Sequence, residues 1–235
     1  MKILLLLSFL LASLFANEYY AKIEPIQSYV IKAATSGEVI YTNDAIEGEL
    51  ASNSVIVELD SSVDQVDLQQ TQNKLLLFEK MIEIEQTNYE RLKKVTTRSD
   101  FDKDAQLLKS INLQSTKADL LIKIAQLKEN IANKKLVEKT HYIYNIAVKK
   151  GDYVNAGTLL YEAKDLSKGK LELFVPIAQT SDLHEKQIYI NDEATNLKIH
   201  KIYQVADAKN ISSYKVEIII DQPKMFSSLV KVEFK

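Results

Sequence analysis

The sequence predicts an α+β chain in which a long antiparallel α-helical hairpin is inserted into a split β-sandwich, with more β structure after it. Three observations predict this. The chain has 235 residues and only five glycines, and neither Gly nor Pro occurs from Glu49 to Lys150. The middle of that stretch, residues 63–138, is rich in Leu, Lys, Gln, Glu and Ala, all good helix formers. On both sides Val, Ile, Tyr and Thr become frequent and are punctuated by Gly, Asn and Asp, the texture of short strands and turns.

The N-terminus comes first. Met1-Lys2 precedes the apolar run Ile3–Phe15 and then Ala16-Asn17, the order of a cleavable export signal spanning residues 1–16. The run falls short of the roughly 20 apolar residues that a membrane-spanning helix needs. Leu14 at the third position before the cut is less usual than Ala, and an uncleaved anchor is the alternative reading. Cysteine is absent, so neither a disulfide nor a lipidated cysteine is available. This pattern suits an exported protein, with the bacterial periplasm as the simplest location. Residues 17–29 read as an N-terminal strand segment.

The helical region, residues 61–138, divides near Thr97. Leu68, Leu75, Ile82 and Tyr89 repeat every seven residues, with Phe78 and Leu92 on a second seam. Further on, Leu108, Ser115, Ile122 and Leu136 share one seven-residue frame, and Ile111, Ala118, Ala125 and Ala132 share another. Heptads of this kind indicate helices packed along a common seam. Between them lies Thr96-Thr97-Arg98-Ser99-Asp100; Ser99 with Asp102, and earlier Ser62 with Gln65, look like helix starts. Two antiparallel helices of roughly 50–58 Å each follow, at 1.5 Å per residue, and they should project. Leu113, Leu120, Ile124, Leu127 and Ile131 form one more stripe than a single seam requires. It is read either as a wide face against the first helix or as a surface for neighbouring copies or a partner.

The flanks, residues 30–60 and 139–168, form a degenerate repeat. The second has Val148, Gly151-Asp152, Val154, Gly157 and Leu160; the first has Ala34–Val39, then Gly48-Glu49-Leu50, Asn53, Ile56 and Leu59. Gly37, Gly48, Gly151 and Gly157 are expected at turns, with Asn53 standing where the second copy has Gly157. Asn is the next best residue in left-handed geometry. An antiparallel hairpin returns its ends to one place, so the two halves can close into one β module.

Split half-motifs of this kind around a helical hairpin, behind an export signal, resemble the lipoyl-like domain of the periplasmic adaptors, the HlyD-type membrane fusion proteins of tripartite efflux and secretion systems. The Ala-Pro-x-x-Gly entry to the second half is missing, and Lys139–Ile143 takes its place. Downstream, Leu171–Pro176, Lys198–Ile202, Ala206-Asp207 and Tyr214–Ile218 resemble strands of that family's small β-barrel domain, here residues 169–235. The resemblance implies a periplasmic location tied to the inner membrane through a partner. It also implies an RND- or ABC-type inner-membrane transporter, a TolC-like outer-membrane channel, and a homo-oligomer, a hexamer. Arg91, Leu92, Val95 and Ser99 resemble the family's hairpin-tip pattern for outer-membrane channel contact, with Val95 for the second Leu. In the bare reading Arg91 is solvated, Leu92 packs in the seam and Ser99 is a cap. Large members of the family carry a membrane-proximal domain for which little room is expected here.

Other functions find little support. The net charge of −2 argues against nucleic acid, which needs clustered cations. His141, His184 and His200 are scattered and the only methionines are Met1, Met81 and Met225, so no metal site is expected. No lysine sits in a biotin-carrier context, and no nucleophile–base constellation or phosphate-cradling loop stands out, so no cofactor is expected and an enzyme is not. The competing functions are a non-transport envelope coiled-coil scaffold and a polysaccharide-binding module.

Overall fold

The computed structural model describes residues 18–235; the expected export signal lies outside them. The chain divides into two units, and each is built from discontinuous segments.

The first unit holds Val30–Lys139 and Ile143–Glu162. Its β module contains β3 (Gly37–Thr42), β4 (Ser54–Leu59), β5 (Lys135–Glu138), β6 (Tyr142–Ile146) and β7 (Tyr153–Val154), with the first residues of β8 (Leu159–Pro176) paired to β6. One sheet runs in the order β5-β4-β3-β7, so the two strands from before the hairpin lie between two from after it. Val39, Ile56 and Leu59 from the first half and Ile143, Val154 and Leu160 from the second are at most 2% exposed. A register shift between Val55 and Val57 lets consecutive residues Ile56 and Val57 both turn inward.

The halves are joined by two matching pairs of backbone hydrogen bonds. Gly151 N–H donates to Val39 O and Val39 N–H donates to Asp152 O, both at 2.8 Å. In the mirrored place Gly48 N–H donates to Ile143 O at 2.8 Å and Ile143 N–H donates to Glu49 O at 2.9 Å. Gly48, Gly151 and Gly157 have φ of 86°, 95° and 90°, and Asn53 has 51°. Gly37 differs: it opens β3 opposite Val154, its backbone is not left-handed, and it is a strand residue rather than a turn.

Between β4 and β5 run α1 (Ser62–Lys93) and α2 (Asp100–Asn133), 32 and 34 residues, or about 48 and 51 Å. Asp60 Oδ1 accepts from the Ser62 amide at 2.9 Å, and Gln65 Nε2 donates to Ser61 Oγ at 2.8 Å, so the polar start sits one residue earlier than the Ser62–Gln65 pair suggests. Ser99 caps α2, its Oγ accepting from the Asp102 amide at 3.2 Å. The second helix ends sooner than residue 138. Residues 135–138 leave it to pair with β4, and Leu136 belongs to that strand, not to a heptad. At the base Leu59 N–H donates to Lys134 O at 2.8 Å, and Lys134 Nζ reaches Asp60 O at 2.8 Å and Asp64 at 2.5 Å.

The first helix packs as its heptads predict. Leu68, Leu75, Phe78, Ile82, Tyr89 and Leu92 are buried or half-buried. The second helix reverses the expected roles. Leu113, Leu120, Ile124, Leu127 and Ile131 form its seam against α1, whereas Leu108, Ile111 and Ile122 are 57%, 50% and 58% exposed. Both stripes have heptad spacing, and the one with more bulk between Leu113 and Ile131 buries more apolar area, which decides the contest.

The second unit holds Ala163–Lys235, Thr140–Tyr142 and the described residues before Val30. It contains β1 (Glu18–Lys22), most of β2 (Glu24–Lys32) and β8, β9 (Ile188–Ile190), β10 (Glu193–Ala194), β11 (Ile199–Ile202), β12 (Ser213–Asp221) and β13 (Leu229–Phe234). The expected closed β-barrel is not formed: the strands make two open antiparallel sheets, ordered β1-β13-β9-β10 and β11-β12-β8-β2. The physical reason is the length of the outer strands. The two residues of β10 and four of β11 cannot carry a continuous ladder around the rim. Leu171, Leu173 and Val175 of β8, Val216 and Ile218 of β12, and Val230, Val232 and Phe234 of β13 form one core. The alternation expected around Lys215–Ile218 holds, with Glu217 on the other face taking hydrogen bonds from Tyr203 Oη at 3.0 Å and Lys215 Nζ at 3.1 Å.

The positive-φ glycines give a direct test. A Cβ at Gly151 or Gly157 meets no atom within 4 Å, so the cost of Ala is purely conformational, about 1–2 kcal/mol each. A Cβ at Gly37 makes ordinary contact with Leu59 Cβ at 3.5 Å, and Gly37→Ala should stay within about 0.5 kcal/mol of the parent. Urea denaturation of the three variants measures the difference.

Candidate functional site: the hairpin and its tip

The hairpin tip is a short turn between two capped helix ends. The amides of Lys94 and Val95 fold back on Arg91 O and Leu92 O at 3.2 and 3.0 Å, and Arg98 N–H reaches Val95 O at 3.4 Å. Arg91 lies exposed in the last turn of α1, Leu92 is half-buried in the seam, and Val95 is 42% exposed at the turn. Ser99 Oγ is occupied as the cap of α2. The four residues of the sequence pattern are therefore gathered at the tip, but they face different ways. Arg91 and Val95 are offered to solvent, and Leu92 and Ser99 hold the turn in shape. Arg98 pairs with Asp102 at 3.9 Å and Lys103 with Asp100 at 3.1 Å, whereas Arg91 has no ion-pair partner among the described residues. Its guanidinium is available to a carboxylate or carbonyl in forked geometry. Beside it a shallow depression of about 480 Å³ on α1 is lined by Lys80, Glu83, Ile84, Thr87, Asn88 and Arg91.

One polar group inside the tip half was not singled out from the sequence. Glu85 falls on the seam, seven residues from both Phe78 and Leu92, and that spacing was the available signal. Its side chain takes Lys109 Nζ at 2.5 Å and the side-chain amide of Gln106. With Lys103, Gln106 and Ser110 on the facing helix, the α2 side of the seam is polar toward the tip and apolar toward the base. Lys109 and Gln106 together hold the Glu85 carboxyl below the usual carboxylate range. Farther down, Glu79–Lys117 at 2.9 Å and Asp67–Lys123 at 3.0 Å bridge the exposed margins of the seam; such solvated pairs set register more than stability.

The histidines sit on separate elements. His141 stacks on Tyr29 with ring centroids 4.7 Å apart, His184 lies in a short 3₁₀ turn and His200 is on β11. Among the described residues no group of His, Asp and Glu is placed to hold a metal ion, and no helix is long and apolar enough to cross a membrane.

A β module split around a long antiparallel hairpin, followed by an antiparallel β unit, is the fold of the membrane fusion or periplasmic adaptor proteins, and this chain has it. No family model matches the sequence, and no curated protein is significantly similar to it in sequence. The likeness is to solved structures. MacA from Actinobacillus actinomycetemcomitans superposes with a TM-score of 0.70 at 16% identity, covering 94% of this chain and 78% of that one. The membrane fusion protein Spr0693 from Streptococcus pneumoniae R6 gives 0.67 at 13% identity, covering 93% and 98%. A MacA–MexA chimera carrying the Pseudomonas aeruginosa MexA α-hairpin domain gives 0.67 at 16% identity, covering 94% and 80%.

The Glu85 latch predicts a pH dependence. A carboxylate whose pKa is lowered by folding stabilises the fold above its unfolded value, about 4.3. That contribution is lost as pH falls through the lower folded value. Helicity lost on acidification should therefore include a component absent from Glu85→Gln, seen as a flatter circular dichroism titration below about pH 4.3.

Proposed function

We propose that the protein is a periplasmic adaptor that links an inner-membrane transporter to an outer-membrane channel for efflux or secretion. The observation that carries this reading is the pair of helices, about 48 and 51 Å long, set into the middle of one small β module. Two helices of that length use most of their surface for reach rather than for enclosing a core. The likeness in fold to MacA and to the membrane fusion protein Spr0693 supports it.

In this reading the role is architectural. The hairpin tip meets a TolC-like channel through Arg91 and Val95, with Leu92 and Ser99 fixing the turn. The β module packs against copies of itself in a homo-oligomer, and the β unit that includes β12 and β13 lies nearer an RND- or ABC-type transporter. The protein resides in the periplasm and is tied to the inner membrane through that partner. Catalysis and bound cofactors have no place in this role. The described acidic side chains near helix starts, such as Asp100 and Asp102, suit the positive end of the helix dipole.

Affinity purification of the tagged chain from detergent-solubilised envelopes, with identification of the bound proteins, tests the reading. A transporter and an outer-membrane channel should be recovered together. Recovery of neither, from cells that make the protein stably, would favour the envelope scaffold instead. For the tip, Arg91→Asp should reduce crosslinking to the channel at least tenfold while leaving the helical circular dichroism signal intact. Undiminished crosslinking removes Arg91 from the contact.

A further inference from the structure

The two sheets of the second unit share one core but stay unjoined where β10 gives way to β11. Residues 195–198 carry the chain between those two strands, and they line a cavity of about 400 Å³. One wall comes from the 3₁₀ turn around Leu183 and from Lys186, the other from residues 195–199, with Ile188 of β9 between them.

Both walls are held by hydrogen bonds. Thr195 N–H and Thr195 Oγ1 both donate to Ile188 O, at 2.9 and 2.8 Å, and the Gln187 side-chain amide donates to Thr195 O. In the opposite wall the amides of Glu185 and Lys186 donate to Asp182 O and Leu183 O at 3.0 and 3.4 Å. Gln187 then exchanges backbone hydrogen bonds with Lys235 at 2.8 and 3.0 Å. A cavity framed in this way is formed before a ligand arrives, so binding requires little ordering of the chain.

The lining has two characters. Leu183 and Ile188 are each 2% exposed and belong to the core, and half-buried Leu197 packs against it. His184, Lys186, Lys198 and Asn196 supply the polar part. No carboxylate lines the cavity, although the chain has 32 acidic residues to 30 basic ones. Asp182 pairs with Lys186 at 3.1 Å but is not part of the lining. His184 and Lys198 have no ion-pair partner among the described residues. An ammonium group offers three donors and no acceptor, and an imidazole keeps one N–H donor even when neutral. Donors of this kind beside apolar surface suit an anion with an apolar body, and the two ammonium groups disfavour a cation.

We infer that this cavity binds a small amphipathic anion, with its acidic group on Lys186, Lys198 and His184 and its apolar body on Leu183, Ile188 and Leu197. The site lies within the β unit alone and needs neither a transporter nor a channel, so it stands apart from the adaptor reading. The short β10 and β11 that leave the sheets unjoined also leave room for the ligand.

A soluble organic acid and an anionic lipid share this chemistry, and the test separates them. The probe is 2-naphthoate, titrated by calorimetry into the full chain as the cell produces it, with amide chemical shifts followed in parallel. One molecule should bind per chain, with shifts concentrated in residues 183–188 and 195–199. Naphthalene-2-carboxamide, its uncharged counterpart, should bind at least tenfold more weakly. Lys198→Glu and Asn196→Trp alter exposed lining positions, and each should weaken 2-naphthoate at least tenfold with an unchanged circular dichroism spectrum. Lys150→Glu makes the same charge change at an exposed position outside the lining and should bind as the parent does. Displacement of the probe by phosphatidylglycerol vesicles identifies the ligand as a lipid, and retention identifies it as a soluble anion. Absence of saturable binding, shifts centred elsewhere, equal affinity for the carboxamide, parental affinity in Lys198→Glu, or an equal loss in Lys150→Glu would overturn the inference.

Discussion

Everything in the first unit depends on the double backbone clamp between its two half-motifs. Val39 exchanges hydrogen bonds with Gly151 and Asp152, and Ile143 exchanges them with Gly48 and Glu49. Each clamp ties a residue from before the hairpin to one about a hundred positions later in the chain. Backbone groups buried at such a junction must be paired, and the left-handed residues beside them let the chain turn in time to make the pairing. With the clamps closed, Val39, Ile56, Leu59, Ile143, Val154 and Leu160 have a place to be buried. Without them the β4–β5 ladder would still join the two ends of the hairpin, but the core between the half-motifs would lose two of its backbone ties.

The helices themselves depend on a different balance. Near the base the seam is apolar, with Leu120, Ile124 and Leu127 buried against α1. Toward the tip the α2 side becomes polar, and Glu85, Gln106 and Lys109 add charge-assisted hydrogen bonds there beside Ile82, Tyr89 and Leu92. Apolar contact supplies most of the adhesion, whereas a polar group at a seam position penalises misaligned registers in which it would be left unpaired. Adhesion at the base and alignment at the tip are thus divided along the hairpin.

Much of the architecture was legible in the sequence because it is written in coarse signals. The gap in Gly and Pro marked the hairpin, and the recurrence of Gly48 and Asn53 against Gly151 and Gly157 marked the split module. Helix starts at residues 62 and 100 fell where short polar residues pointed. What was not legible turned on competition between equivalent patterns. Two stripes on α2 share the same spacing, and only packing against α1 shows that Leu113–Ile131 wins over Leu108–Ile122. Residues 135–138 continue a helical composition but are captured by β4, a tertiary pairing that local propensity cannot register. Gly37 resembles a turn glycine, yet its backbone is extended. The closed barrel expected downstream failed on the lengths of β10 and β11. At the tip, residue types located Arg91, Leu92, Val95 and Ser99, but not which of them faces solvent.

The base of the hairpin has a consequence for how such a chain can change. Leu59 and Lys134 are hydrogen-bonded neighbours, so both helices leave the β module from a single doorway. Nothing beyond that doorway enters the module's core. Seven residues inserted into each helix at the same level would keep the seam in phase and move the tip outward by about 10.5 Å, with no strand displaced. The same insertion into one helix alone would leave it about two turns longer than its partner and break the register of the arm beyond that level. Reach is therefore a variable separable from fold in this protein, adjustable in whole heptads so long as both helices change together.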